Sequence, residues 1–116
     1  MTLLGPRLYL DATPGHVIVA RGFAVAGLQV LEIPAQLVED AKLAVSELVT
    51  MLVVAGHRSI QIDLDPDGPR LAIMGSGPLP PLPAAVESIL DAMGGTSVST
   101  AGDTWILTVI GIDGHG

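Results

Sequence analysis

The chain contains no cysteine. That excludes disulfides, thiolate zinc sites and cysteine nucleophiles, and it fits a reducing cytoplasm. Charge is scarce: charged residues are 15% of the 116 positions, where soluble domains carry about a quarter. Basic charge is scarcer still. It is confined to Arg7, Arg21, Lys42, Arg58 and Arg70, against a net charge of −7. These side chains are scattered, so no phosphate-tracking patch is expected, and neither nucleic acid nor an anionic membrane is an expected partner. The start, "MTLLGPRLYLDATPG", has no basic residue ahead of an apolar run, so no secretory signal is read there. The stretch 12–31 is nearly uncharged, but Arg21 sits in its middle and Pro14, Gly15, Gly22 and Gly27 interrupt it. A spanning helix needs about 20 predominantly apolar residues, so no membrane segment is expected.

What is present is apolar mass. Hydrophobic residues make up 49% of the chain. The length suits a single domain over 1–116 with one real core, and disorder is not expected. A surface this poor in charge leaves apolar area exposed, which favours a protein partner or a homodimer.

The pattern along the chain supplies the elements. "RLYLDA" (7–12) alternates as a short strand. In "TPGHVIVARGFAVAGLQVL" (13–31), Thr13 is placed as an N-cap with Pro14 at the first helical position. Val17, Ile18, Arg21, Val25, Leu28 and Leu31 recur there at helical spacing. "IPAQLVEDAKLAVSELVTMLVVAGH" (33–57) is the strongest helix. Leu37, Ala41, Ala44, Val45, Leu48 and Leu52 form its buried stripe, and Glu39, Lys42, Ser46 and Thr50 its wet face. Gly56 stops it. "SIQIDLD" (59–65) and "RLAIMGS" (70–76) flank "PDGP" as a β-hairpin. "GPLPPLPAA" (77–85) is a short proline-rich connection to a helix, "AAVESILDAMGG" (84–95), with a glycine stop. "TSVSTAG" and "DTWILTVIG" (96–111) close the chain as a second hairpin. The order β-α-α-β-β-α-β-β predicts an α/β (α+β) two-layer sandwich, with one mixed, mostly antiparallel sheet and helices on one face.

Most local motifs reduce to structure. "DLDPDG" (63–68) begins like a calcium loop with Asp63, Asp65 and Asp67. The twelfth position, which needs a bidentate glutamate, is Met74, and the flanks are strands. "GSG" (75–77) offers a backbone approach to a phosphate but lacks the lysine of a P-loop. His16, His57 and His115 have no ligand spacing, so no metal site is expected. Ser46 and Thr50 have no base beside them. A third stripe of the long helix, Leu43, Glu47, Met51 and Val54, carries an isolated carboxylate. A carboxylate followed one turn later by a carboxamide can hold a hydrated magnesium ion over a nucleotide; here the second position is the apolar Met51.

Taken together, "ARGFAVAGLQVLEIPAQLVEDAKLAVSELVTMLVVAGH" (20–57) resembles the first two helices of the anti-sigma serine kinases of the RsbW type. These are small relatives of the gyrase, histidine-kinase and MutL ATPases. "AKLAVSELVT" is the closest phrase, and the resemblance runs roughly from Tyr9 to Ile110. It implies that Glu47 matches the general base, that Met51 stands where the family has the magnesium-ligating asparagine, and that Met74 takes the place of the aspartate that reads the adenine amino group. The family's ATP lid belongs between this strand and the last helix, where only "GPLPPLPAA" remains.

These replacements are chemical. Magnesium wants near-octahedral oxygen ligation and a thioether is a poor substitute. Phosphoryl transfer depends on positioning and charge neutralisation by metal, amides and cations. The resemblance therefore predicts a degenerate, non-catalytic site with no cofactor: Glu47 vestigial as base, Met51 and Met74 vestigial as nucleotide contacts, both methionines lining the old cleft. The implied role is a regulatory protein-binding domain of anti-sigma type, cytoplasmic and homodimeric. Its partner would be a sigma factor or an anti-sigma antagonist in a partner-switching circuit. Two rivals stand beside it. One is an active ATP-dependent serine kinase with an atypical site. The other is a small-molecule sensor using the methionine-lined cleft as an apolar pocket.

Overall fold

The computed structural model describes residues 5–82, 84–93 and 96–109. The elements follow the predicted order: β1 (Arg7–Asp11), a 3-10 turn (Pro14–His16), α1 (Val17–Val30), α2 (Ala35–Val54), β2 (Ser59–Asp65), β3 (Arg70–Gly75), α3 (Ala84–Met93), β4 (Thr96–Ala101) and β5 (Thr104–Val109). The expected stops at Gly94 and Gly95, the strand end at Ile110 and Gly111, Pro83 and His115 lie outside the described residues.

The strands form one five-stranded sheet in the order β1-β2-β3-β5-β4. Every pairing is antiparallel. Alternation decides which face meets the helices. Ile60, Ile62 and Leu64 of β2, Leu71 and Ile73 of β3, and Trp105, Leu107 and Val109 of β5 are buried in one cluster with α1 and α2. Side chains two apart share a face, so the intervening residues form the outer face. Along it, Tyr9, Gln61, Met74 and Thr104 lie in register, and so do Arg7, Asp63, Ala72 and Ile106. Arg7 holds Asp63 at 2.7 Å and Arg70 holds Asp65 at 2.6 Å. Two of the three acids of "DLDPDG", Asp63 and Asp65, are thus occupied by arginines, and Asp65 Oδ1 also accepts the Asp67 N–H at 3.0 Å to shape the turn.

The expected stripe of α2 is buried as a whole: Leu37, Ala41, Ala44, Val45, Leu48 and Leu52 are at most 5% exposed. For α1 the expected positions hold in part: Leu28 is buried and Val17, Val25 and Leu31 pack against the core, whereas Ile18 is 65% exposed and the small residues Ala20 and Ala24 complete the buried face, which lets the helix approach closely. A Cβ on Gly27 would lie 2.6 Å from Leu64 Cδ2. Thr13 does stand at the cap with extended backbone (φ −122, ψ 153), but its side chain makes no capping hydrogen bond.

Both long helices end the same way. At α2, Gly56 N–H donates to Val53 O and His57 N–H to Leu52 O, each at 3.1 Å. This is the Schellman arrangement, with Gly56 at φ +86 as the expected stop. At α1, Glu32 N–H donates to Gln29 O at 2.9 Å and Ile33 N–H to Leu28 O at 3.1 Å. There the left-handed position, φ +61, is held by Glu32. Among the described residues no helix is long and apolar enough to cross a membrane.

Candidate functional site

α2 carries Glu47 and Met51 one turn apart on the margin of its buried arc. A wheel of 100° per residue places Asp40 on that same margin, with Leu43 and Val54 farther out. Asp40 is buried to 6% exposure and accepts a hydrogen bond from Gln36 Nε2 at 3.1 Å. Glu47 is half-buried and has no ion pair or hydrogen bond among the described residues. Met51 packs against the core. Its thioether therefore has a structural task, filling space at the helix margin.

Met74 is elsewhere. It registers with Gln61 and Thr104 on the outer face of the sheet, whereas its neighbour Ile73 is fully buried beneath the helices. The expectation that Met51 and Met74 line one cleft is therefore wrong. The sheet lies between them. A side chain of β3 that faces α2 has to be Leu71 or Ile73, and both are apolar.

What the structure does bring together is the end of α2 and the start of the β3–α3 connection. The Schellman turn at Gly56 aims the His57 ring across the end of β3. Its Nε2 lies 3.1 Å from the carbonyl oxygen of Pro78. A carbonyl only accepts, so Nε2 carries the hydrogen. Nδ1 is buried without a hydrogen-bond partner. Arg58 N–H donates to Ser76 Oγ at 2.8 Å. Leu79 and Leu82, farther along the connection, pack against the core. The segment 76–82 is thus tied to the α2–β2 turn by two hydrogen bonds and pressed down by two leucines.

Among the described residues, two hollows on the surface stand out. One, of about 620 Å³, lies between residues 55–58 and 76–80. The other, of about 430 Å³, is lined by Leu82, Glu87, Asp91, Thr96, Ser97 and Val98. Neither is lined by Glu47, Met51 or Met74. Sequence reading missed the contacts of His57, Arg58 and Ser76. The signal for them was the glycine stop at Gly56, which sets where the next two residues point, together with the side-chain-free Gly75 opposite.

One turn on from Glu47 stands the thioether of Met51, and the buried residue of β3 nearest in sequence to Met74 is Ile73. Among the described residues, no group of three or more His, Asp or Glu side chains is placed to hold a metal ion.

No family profile matches the chain, and no curated protein matches it. Among solved structures, it is similar to the crystal structure of the RsbU and RsbW domains of Rv1364c from Mycobacterium tuberculosis. The TM-score is 0.55 and the identity 19%, over 90% of this chain and 31% of that one. The chain thus spans about a third of that neighbour's length. At this identity the likeness concerns the fold: the two-layer arrangement reached from the residues upward is an RsbW-like fold.

Proposed function

We propose that this chain is a non-catalytic regulatory domain that acts by binding protein, in the manner of an anti-sigma factor. The observation that carries the reading is the fastened β3–α3 connection. Where the resemblance calls for an ATP lid, residues 76–82 are bonded to His57 and Arg58 and anchored by Leu79 and Leu82. Lids work by closing over substrate and excluding water. A short segment, stiffened by Pro78, Pro80 and Pro81 and held to the body, has no such freedom. Met51 in the core contacts and Ile73 beneath the helices support the same reading, because neither offers an oxygen to a metal or a base.

The partner is a sigma factor or an anti-sigma antagonist, in a cytoplasmic partner-switching circuit. That assignment rests on the sequence resemblance and on the RsbW-like fold. The exposed apolar side chains Ile18, Val30 and Val54, at 65%, 80% and 73%, favour association, including a homodimer of this one-domain chain. The kinase rival is favoured by Glu47 and the glycines of "GSG" (75–77) alone, and the sensor rival loses the shared methionine cleft it required. Titration calorimetry with ATP and Mg²⁺ tests the reading: no heat of binding is expected. Micromolar, magnesium-dependent binding would sink it. Co-purification from a host expressing the tagged chain, followed by identification of the retained protein, tests the partner.

A further inference from the structure

The β4 edge of the sheet has features that the reading above does not use. Among the described residues, β4 is the terminal strand of the sheet and pairs with β5 alone. Natural edge strands are guarded by charge, proline, bulges or shortness. The opposite edge has such guards: β1 bears Arg7 and Asp11 and follows Pro6. β4, "TSVSTA", has no charge and no proline, and pairs with β5 in unbroken register from Thr96 to Ala101.

The turn that follows fixes which backbone groups face outward. Gly102 has φ +62, and Asp103 is not at positive φ. A two-residue loop with glycine first is the type II′ hairpin turn, which closes on a hydrogen-bonded pair. That pair is Ala101 and Thr104. Alternation then turns the backbone N–H and C=O of Val98 and Thr100 away from β5, toward the side on which no described strand lies. Beside them, on the helix side, is the hollow of about 430 Å³. Its floor includes the half-buried Leu82 and Val98, both packed on the core. Its rim carries Glu87 and Asp91, one turn apart on α3. Both are exposed and without an ion pair among the described residues.

We propose that β4 accepts an extended segment of a partner protein as a sixth strand, with one arginine or lysine of that segment seated in the α3–β4 hollow. Strand addition draws affinity from main-chain hydrogen bonds and specificity from pockets for alternate side chains. A residue of the added strand on the same face as Val98 projects toward α3. Its aliphatic stem lies on Leu82 and Val98, and its cationic head meets Glu87 and Asp91. The paired carboxylates repel an acidic segment at the same place. The net charge of −7 steers basic partners toward the molecule. This inference rests on the protein-binding reading and adds to it a surface and a chemistry.

The test uses a labelled peptide of alternating valine and threonine with one central arginine, titrated against the full chain by fluorescence anisotropy. Saturable binding is expected. It should weaken about tenfold when the arginine becomes glutamate, and as much in a variant with Glu87→Lys and Asp91→Lys. Both positions are exposed, and circular dichroism checks the fold. The milder Glu87→Gln with Asp91→Asn serves if charge reversal disturbs it. N-methylating the peptide amides that face the edge should abolish binding, and amide shifts should concentrate at Val98 and Thr100. No binding, or binding indifferent to both charge changes, overturns the proposal and leaves the non-catalytic reading intact. Magnesium–ATP binding would remove that reading and leave the β4 edge as described.

Discussion

A Cβ placed on Gly75 would overlap the imidazole of His57. The glycine is what lets the ring lie across the end of β3 and reach Pro78. Gly75→Ala forces the ring or the strand to move, and with it the hydrogen bond that ties down the connection. Overpacking of this kind costs about 1–3 kcal/mol. Gly77→Ala is the control: the nearest atom to its Cβ would be His57 Cε1 at 3.9 Å, an ordinary contact, and its cost should stay within about 0.5 kcal/mol. Urea unfolding of the two variants, followed through the buried Trp105, measures the difference.

Glu32 offers the opposite sign. It occupies the left-handed position of a Schellman motif at φ +61, where a Cβ is strained and glycine is at ease. Glu32→Gly should raise stability by about 0.5–1 kcal/mol. The counterpart at α2, Gly56→Ala at φ +86, should lower it by a similar amount. Thermal melting of both variants reads the pair of signs.

These end motifs also mark where the sequence was legible. Gly56 announced the end of α2 because glycine there has one clear use, and the α2 stripe was readable because its large residues repeat at helical period between polar ones. α1 was harder. Nearly every face of it is apolar, so periodicity had little contrast to work with, and the helical spacing ran through Ile18 as well as Leu28. The structure instead buries Ala20 and Ala24, because close packing of α1 on α2 rewards small residues. On a strand, a shift of one moves a side chain to the opposite face, and a resemblance between phrases does not resolve such a shift: Ile73 is buried beneath the helices while Met74 registers with Gln61 on the outer face, so the expected pairing of Met51 with Met74 across one cleft fails. The contacts of His57 and Ser76 bring together residues far apart in sequence, and no local pattern announces such a meeting.

The hairpin β2–β3 carries an acid-sensitive contact. The Arg70 guanidinium, hydrogen-bonded to Asp65, holds that carboxyl below the usual aspartate range, with the Asp67 backbone N–H adding to the effect. A carboxyl depressed in the folded state contributes stability above its unfolded pKa and loses it as pH falls through the folded value. The contribution is therefore complete at neutral pH and fades below about pH 4. Arg70→Ala should lower the melting temperature slightly at neutral pH, and the gap from the parent should close in acid. The effect is small because both side chains are about half exposed and solvent screens the pair. A gap that persists unchanged on acidification would show that Arg70 acts through packing.

Restoring oxygen at the methionine positions separates the two candidate geometries. Met74→Asp puts a carboxylate on the outer face of the sheet, beside Gln61 and Thr104. The change should cost about 1 kcal/mol, from the poor fit of aspartate in a strand, and should create no affinity for adenosine. Ile73→Asp puts the carboxylate on the inner face, among residues that are fully buried. An unpaired charge there should cost on the order of 4 kcal/mol and unfold much of the protein. Met51→Asn sets an amide against the core packing, where an unsatisfied group costs about 1–3 kcal/mol. Combining Met51→Asn with Met74→Asp should therefore give a weakened protein that neither binds magnesium–ATP nor transfers phosphate. The two new oxygens lie on opposite sides of the sheet, and the β3–α3 connection is still fastened by His57 and Arg58. Calorimetry with ATP and Mg²⁺, run beside thermal melting with and without the nucleotide, is the measurement. Magnesium-dependent stabilisation of the double variant would mean that Met74 does reach the helix side, and that the placement of this strand's side chains is wrong.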